Sequence, residues 1–365
     1  MVDVALFIPS LNGGGAERVM LILANTLVEK GYSVDLVLVK AKGSFLKDLS
    51  KNVRVVNLNS SRTLFSIMPL VNYLKKEKPK LMMSAMHYVN IILLIAKKIS
   101  RSNFKLIISE HSTLSFSLAG SSFTNLVLKK LMRQMYPNAD EIIAVSQGVA
   151  DDLIEVLELK NKVVHVIHNP VVTKELLLKK EEPLDHPWIK NNKPFILGVG
   201  RLTKAKNFDL LIKSFAKVEK EISAHLVILG TGELELELKE LIYSLGLQDK
   251  IHMFGFVDNP YSWMKKAELF ILSSSWEGFG NVLVEAMACG TPVISTNCPS
   301  GPAEILEDGK LGILVPVDDI DKMANAIKNV LTHSDKGNTI SFYKYTPEFI
   351  VAQYLKVFTG EIKKI

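Results

Sequence analysis

The sequence predicts an α/β protein built from two doubly wound, parallel-sheet domains. Three observations predict it: two successive series of short apolar strands, helical runs between those strands, and a proline-bearing segment separating the series. In the first series, strands are expected at 4–8, 33–39, 53–58, 81–85, 106–109, 141–145 and 163–168, with helices at 16–30, 64–76 and 89–99. In the second, strands are expected at 195–200, 224–229, 251–254, 269–273, 292–296 and 312–316. The helices between them fall at 208–220, 234–245, 281–289 and 320–331. The stretch 181–194 carries Pro183, Pro187 and Pro194 among polar residues and reads as a linker. The expected division is therefore a first domain over 1–180, a second over 190–342, and an amphipathic tail helix within 343–365 that returns to the first domain. Two such sheets are expected to face one another across a cleft at their carboxyl ends, where doubly wound folds take ligands.

Composition narrows the class. A chain of 365 residues exceeds a typical single core, and 48% apolar residues argue for folding rather than disorder. Two cysteines, Cys289 and Cys298, imply neither a disulfide framework nor a metal site, and a reducing compartment is the default. The chain opens on an apolar strand rather than a basic leader, and its longest apolar stretch, 88–96, is far below the roughly 20 residues that span a bilayer. The net charge of +6 is unevenly shared, +10 over residues 1–180 and −4 over the remainder. Only the first half is thus suited to an anionic surface or substrate.

Three segments carry candidate chemistry. The first, Asn12-Gly13-Gly14-Gly15-Ala16-Glu17-Arg18, joins the first strand to the first helix. Exposed glycine amides at a helix start attract phosphate, though a merely tight turn is the other reading. It is not a dinucleotide fingerprint, so a dehydrogenase of similar architecture is disfavoured. The second, Gly198-Val199-Gly200-Arg201-Leu202-Thr203-Lys204-Ala205-Lys206-Asn207, ends the first strand of the second domain. Arg201 offers a planar fork of donors and Lys206 a point charge, together suited to a diphosphate without a metal; a solvated pair of cations is the alternative. The third runs from Ser273 through Trp276-Glu277-Gly278-Phe279-Gly280-Asn281 to Glu285 and Gly290, a strand feeding a glycine-bracketed loop and a helix. Its two carboxylates can each accept paired hydroxyls, and the amides of Gly280, Asn281 and Val282 open a helix toward phosphate. No Asp-x-Asp pair stands at a strand end to chelate a metal.

The Ser-Trp-Glu-Gly-Phe-Gly run with a second glutamate eight positions on resembles the signature of retaining glycosyltransferases of family 4, which have the GT-B fold of two Rossmann-like domains. Other pieces match in order: Gly14-Gly15-Ala16-Glu17, Val145-Ser146, His168-Asn169-Pro170, Gly200-Arg201-Leu202 with Lys206, Gly230-Thr231-Gly232 and Gly301-Pro302-Ala303-Glu304-Ile305. The resemblance spans nearly the whole chain. It implies a catalytic set of His111, Arg201, Lys206 and Glu277, with Arg201 and Lys206 on the donor diphosphate and Glu277 on the transferred sugar. Glu285 is implied at the ribose hydroxyls, and Phe254, Gly255 and Phe256 at the base. Phe279, Gly280, Asn281, Val282 and Gly200 are implied along the phosphates, with Gly14 and Gly15 as further donor contacts. His111 follows the strand at 106–109, with Glu110 ranking behind it.

The expected reaction is retaining, metal-independent transfer of a hexose or N-acetylhexosamine from a nucleotide-diphospho-sugar, UDP favoured. No cofactor and no nucleic-acid partner are implied. Lys75, Lys76, Lys78, Lys80, Lys97, Lys98, Arg101, Lys129, Lys130 and Arg133 lie near apolar helices, a pattern suited to an anionic bilayer or to an ordinary solvated face. Combined with the resemblance, it points to a polyprenyl-diphosphate-linked glycan acceptor and a peripheral position on the cytoplasmic face of the inner membrane. A non-catalytic nucleotide-binding scaffold of the same fold and a transferase with a soluble acceptor are the alternatives.

Overall fold

The computed structural model describes residues 2–120, 122–189, 194–332 and 342–361. They form two compact units, one comprising the chain up to Pro170 together with the residues from Lys344 onward, the other Val171–Tyr343. The first unit holds seven parallel strands: β1 (Val4–Ile8), β2 (Val34–Leu38), β3 (Arg54–Asn57), β4 (Leu81–Ala85), β5 (Lys105–Glu110), β6 (Glu141–Ala144) and β7 (Val164–Val166). Their order across the sheet is β3-β2-β1-β4-β5-β6-β7, which reverses direction between β1 and β4. The second unit repeats the plan with β8 (Phe195–Val199), β9 (His225–Leu229), β10 (Ile251–Gly255), β11 (Leu269–Leu272), β12 (Val293–Thr296) and β13 (Ile313–Val315). Here the order is β10-β9-β8-β11-β12-β13, and the reversal falls between β8 and β11. Strands such as β1, β2, β4 and β9 are buried along their whole length, as expected where helices cover both faces of a parallel sheet.

Several helix ends depart from the sequence expectation for identifiable reasons. The helix expected from residue 64 begins as a 3-10 turn, Thr63–Ser66, and becomes α-helical over Ile67–Glu77. Pro69 has no N–H to return to the Phe65 carbonyl, so it is tolerated only within the first turn. The helix stops where Lys78 enters the left-handed region at φ 47°. The helix Lys174–Lys179 lies within the second compact unit, since the first stretch of the other unit ends at Pro170. Lys180 Nζ, just beyond that helix, donates 2.9 Å to the Ala288 carbonyl.

The described part of the expected linker is not loose. Trp188 packs on the rings of His252, His225 and Phe254 at 4.8, 5.5 and 5.9 Å, and His186 packs on Phe254 and Trp263 at 4.5 and 5.2 Å. This ring cluster lies over one face of the sheet, across β9 and the outer strand β10. Residues 190–193 of that segment lie outside the described residues.

The tail helix runs Pro347–Thr359, capped by Thr346 at its start and closed by Gly360 at φ 78°. Its Ile350, Val351, Tyr354 and Val357 are buried in the first unit's core against Met20, Leu23, Ala24 and Leu27. Lys105 Nζ donates to the Val357 carbonyl at 2.5 Å and that of Phe358 at 3.3 Å, a cation where the helix leaves carbonyls open. Among the described residues no helix is long and apolar enough to cross a membrane.

Candidate functional site

In the second unit the strand order reverses between β8 and β11, and such a reversal is where doubly wound sheets take ligands at their carboxyl edge. The β8 loop carries Gly200, Arg201 and Lys206, and the β11 loop carries Ser274, Glu277 and Gly280. They are laced together: Ser275 N–H donates to Ala205 O at 2.8 Å, and Ser273 Oγ donates to Lys206 O at 2.8 Å. At the centre Lys206 Nζ donates to Glu277 Oε1 at 2.5 Å, and Ser274 Oγ donates to the same oxygen at 2.6 Å. The structure thus brings Lys206 and Glu277, separately chosen for diphosphate and sugar, into one ion pair with both side chains largely buried. Ser274 was missed in the sequence; only its place before a glutamate could have signalled it.

The remaining second-unit candidates fall into distinct environments. Arg201 is exposed, and its guanidinium joins no ion pair among the described residues. Gly200 lies where an added Cβ would sit 3.4 Å from Lys206 Cγ and Cδ, so the bare glycine lets the lysine stem cross it. Gly280, at φ 102°, opens the helix Asn281–Ala288, with Asn281 and Val282 half-buried in its first turn. Glu285 is buried in the second turn of that helix. Phe279 is buried as well, so its ring serves the core and only its backbone borders the loop. Phe254 has its ring committed to the cluster over β10, stacked within 4° of His252, whereas Phe256, past Gly255, is 74% exposed. Burial pushes both Cys289 and Cys298 up to about 12, which keeps the thiols protonated and unreactive at neutral pH.

The first unit has a polar centre of its own, at the carboxyl ends of β1, β4 and β5. The glycine loop after β1 is engaged internally: Glu17 Oε2 accepts from Gly13 N–H and Gly14 N–H, each at 2.8 Å, and Ser10 Oγ donates to Glu17 Oε1 at 3.1 Å. The Gly14 amide expected to meet a donor phosphate is therefore held by a carboxylate of the same helix, and Gly15 simply opens that helix. The reason is the acidic residue three positions on, a capping arrangement.

Beyond β5, His111 Nε2 shares a 3.0 Å hydrogen bond with Ser109 Oγ, while its Nδ1 is buried without a partner. Burial lowers this histidine to about 4, so it is a neutral imidazole at physiological pH. Glu110 points into the opposite layer and is fully buried. Its Oε1 accepts from Tyr136 Oη and from Asn90 Nδ2 at 2.8 Å, and its Oε2 has no partner. Asn90 also donates to Ser109 O at 3.1 Å and accepts from Ser84 Oγ at 2.7 Å, tying β4, β5 and the helix His87–Ser100 together. Asn90 gave no sequence signal, lying inside an apolar helical run, and neither did Tyr136, which opens the 3-10 turn after the helix Phe123–Met135.

Desolvation raises Glu110 from 4.5 to about 7, above its two hydrogen bonds' pull in the other direction. A folded-state value above the ordinary one means that the folded state holds the proton more tightly. The associated stability is complete below pH 4.5 and is lost as pH rises toward 7. Relative to Glu110→Gln, the wild-type unfolding free energy is expected to fall by on the order of 3 kcal/mol across that window. Urea denaturation of both proteins between pH 4.5 and 8 measures this, and parallel curves would show that Glu110 titrates normally.

Comparison with known proteins agrees with this architecture. Residues 13–175 match the family model Glycosyltransferase Family 4, and residues 179–346 match Glycosyl transferases group 1. A Campylobacter jejuni protein named N-acetylgalactosamine-N,N'-diacetylbacillosaminyl-diphospho-undecaprenol 4-alpha-N-acetylgalactosaminyltransferase is 33% identical over 340 residues, covering 91% of this chain and 90% of that one. The lipopolysaccharide core biosynthesis glycosyltransferase LpsE of Rhizobium meliloti is 25% identical, covering 95% and 96%. Among solved structures, Anabaena HepE in complex with UDP and glucose superposes with a TM-score of 0.81 at 23% identity, over 99% of this chain and 100% of that one. With two doubly wound sheets, the laced loops of the second and full-length relatives of this kind, the chain belongs to the family 4 glycosyltransferases, of GT-B fold.

Proposed function

We propose that this glycosyltransferase moves a hexose or N-acetylhexosamine, with retention at C1, from a nucleotide-diphospho-sugar to a polyprenyl-diphosphate-linked glycan. The observation that carries the donor half is the Lys206–Glu277 pair beside the exposed Arg201 at the β8–β11 reversal. In the reaction the C1–O bond to the diphosphate breaks, the acceptor oxygen bonds to C1, and the acceptor proton passes to the departing phosphate oxygen. Arg201 and Lys206 neutralise the charge that builds on the diphosphate, assisted by the amides opening the helix Asn281–Ala288, in place of a bound cation. Glu277 accepts from hydroxyls of the sugar, Glu285 from those of the ribose, and neutral His111 hydrogen-bonds the transferred sugar. UDP is the favoured nucleotide, since the Anabaena structure of the same fold holds it.

The acceptor half rests on the Campylobacter relative, whose name specifies a diphospho-undecaprenol substrate, and on the helix Phe123–Met135. Phe123, Leu126, Val127 and Leu131 recur on one face of that helix and are exposed, Phe123 at 81%. Met132 alone on the helix is buried, and Lys129, Lys130 and Arg133 border the apolar face. An exposed apolar stripe edged with cations suits an anionic bilayer surface, which supports a peripheral position on the cytoplasmic side of the inner membrane.

Purified protein incubated with a panel of nucleotide sugars and a synthetic undecaprenyl-diphosphate-linked N-acetylhexosamine tests the reading. Release of nucleoside diphosphate with one donor is expected, persisting in EDTA and lost in Arg201→Ala and Glu277→Ala. The α-configuration of the new linkage, read by NMR coupling constants, settles retention. Tight nucleotide binding with no transfer from any donor would favour a binding scaffold instead.

A further inference from the structure

We propose that His87, with Tyr88 beside it, is a specificity-determining residue that hydrogen-bonds an uncharged hydroxyl or amide group of the acceptor's terminal sugar. This rests on the glycosyl-transfer reading above and adds to it a residue that the sequence motifs do not mark. His87 opens the helix after β4, next to the reversal between β1 and β4. Ala85 on β4 is in register with Ser109 on β5, so His87 and His111 each stand two residues beyond paired positions on adjacent strands.

Three further observations point to a ligand. First, the Nδ1 atoms of both His87 and His111 are buried without a hydrogen-bond partner, as is Thr113 Oγ1 on the same β5 loop, whose residue is 2% exposed. Buried polar atoms are normally satisfied, and a group of them at one sheet edge is hydrogen-bonding capacity without a use inside the protein. Second, Met86 between β4 and His87 adopts φ 78° and ψ 133°, a conformation that L side chains rarely take. It is pinned there by its own N–H to Ser109 O at 3.3 Å and by its carbonyl accepting from Val89 and Asn90 at 3.0 and 2.9 Å. Backbone strain over-determined by its surroundings gathers where a side chain must be aimed. Third, the Tyr88 ring meets the His87 ring edge-on at 5.4 Å and remains 39% exposed, offering an apolar face beside the imidazole.

The chemistry of the ligand follows from charge. Burial lowers His87 as it does His111, so both rings are neutral donors and acceptors at pH 7. A diphosphate calls for cations, whereas a sugar hydroxyl or acetamido group, both donor and acceptor, suits a neutral imidazole.

The test uses the full chain, the synthetic undecaprenyl-diphosphate-linked N-acetylhexosamine as acceptor, and His87→Ala and His87→Asn. Three quantities are measured: acceptor KM and kcat, slow donor hydrolysis without acceptor, and thermal midpoint. His87→Ala is expected to raise acceptor KM at least tenfold while donor hydrolysis and midpoint stay as in the wild type. His87→Asn, whose amide can replace the lost hydrogen bond, is expected to recover most of that loss. An unchanged acceptor KM in His87→Ala, or an equal loss in donor hydrolysis, overturns the assignment while leaving the transfer reading intact. Absence of transfer by the wild-type protein itself overturns both.

Discussion

Lys206→Ala is expected to lower kcat by about 10²–10³-fold, the usual consequence of removing one charge aimed at a developing anion. Its effect differs from loss of a surface cation because Lys206 Nζ is held by Glu277 Oε1 at 2.5 Å in a largely buried pair. Removing the ammonium leaves the carboxylate with Ser274 as its remaining donor to that oxygen, so part of the loss reflects a carboxylate that turns away or takes up a proton. A double-mutant cycle separates the two contributions. If Lys206 acts only by orienting Glu277, Glu277→Gln and the double variant fall to the same rate. If it also faces the diphosphate, the double variant is slower than Glu277→Gln. Arg201→Ala serves as the comparison without a buried partner, and its melting temperature is expected to match the wild type.

Gly230→Ala is expected to destabilise the second unit by on the order of 3 kcal/mol or more, a size reserved for steric strain at a special backbone position. Gly230 sits at φ 135°, and a Cβ there would lie 1.9 Å from the Gly200 carbonyl oxygen. That approach is fixed by the hydrogen bonds of Gly230 N–H to Gly255 O at 2.7 Å and Gly200 N–H to Leu229 O at 3.0 Å. The loop after β9 is thereby seated directly against the loop bearing Arg201 and Lys206, so relaxation of the clash displaces the proposed donor-binding residues. Gly246→Ala is the control: its φ of 68° is also positive, but nothing lies within 4 Å of an added Cβ. It is expected to cost about 1–2 kcal/mol. Guanidinium denaturation compares the stabilities, and calorimetric titration with UDP compares the binding. Equal costs at the two positions would show that the 1.9 Å contact is relieved by a small backbone shift.

The fold was legible because each element carries its own signal. Val4–Ile8 and His225–Leu229 are short apolar runs, Ser146 and Thr346 cap helices, and Gly360 ends one. The loops after β8 and β11 were legible for a similar reason, since glycines and charges at strand ends have few structural uses. What the sequence does not display is pairing at a distance. Lys206 and Glu277 lie 71 residues apart, and Asn90 meets Glu110 and Tyr136 only because β4 and β5 are neighbours. Gly14 shows a short-range pairing that the glycine motif did not display either: its amide is held by Glu17, three residues away. His87 escaped notice because a histidine opening an apolar helix looks like any other until its ring nitrogen is found without a partner.

The helix Pro347–Thr359 has a consequence for how the protein is made. Its four buried side chains complete a core whose other members are translated before the second unit begins. On the ribosome the first unit therefore waits, with Met20, Leu23 and Leu27 incompletely covered, while Val171–Tyr343 emerges. The earliest-made half is the last to be finished, and its interim exposure of apolar surface makes it the half that most needs chaperone protection during synthesis.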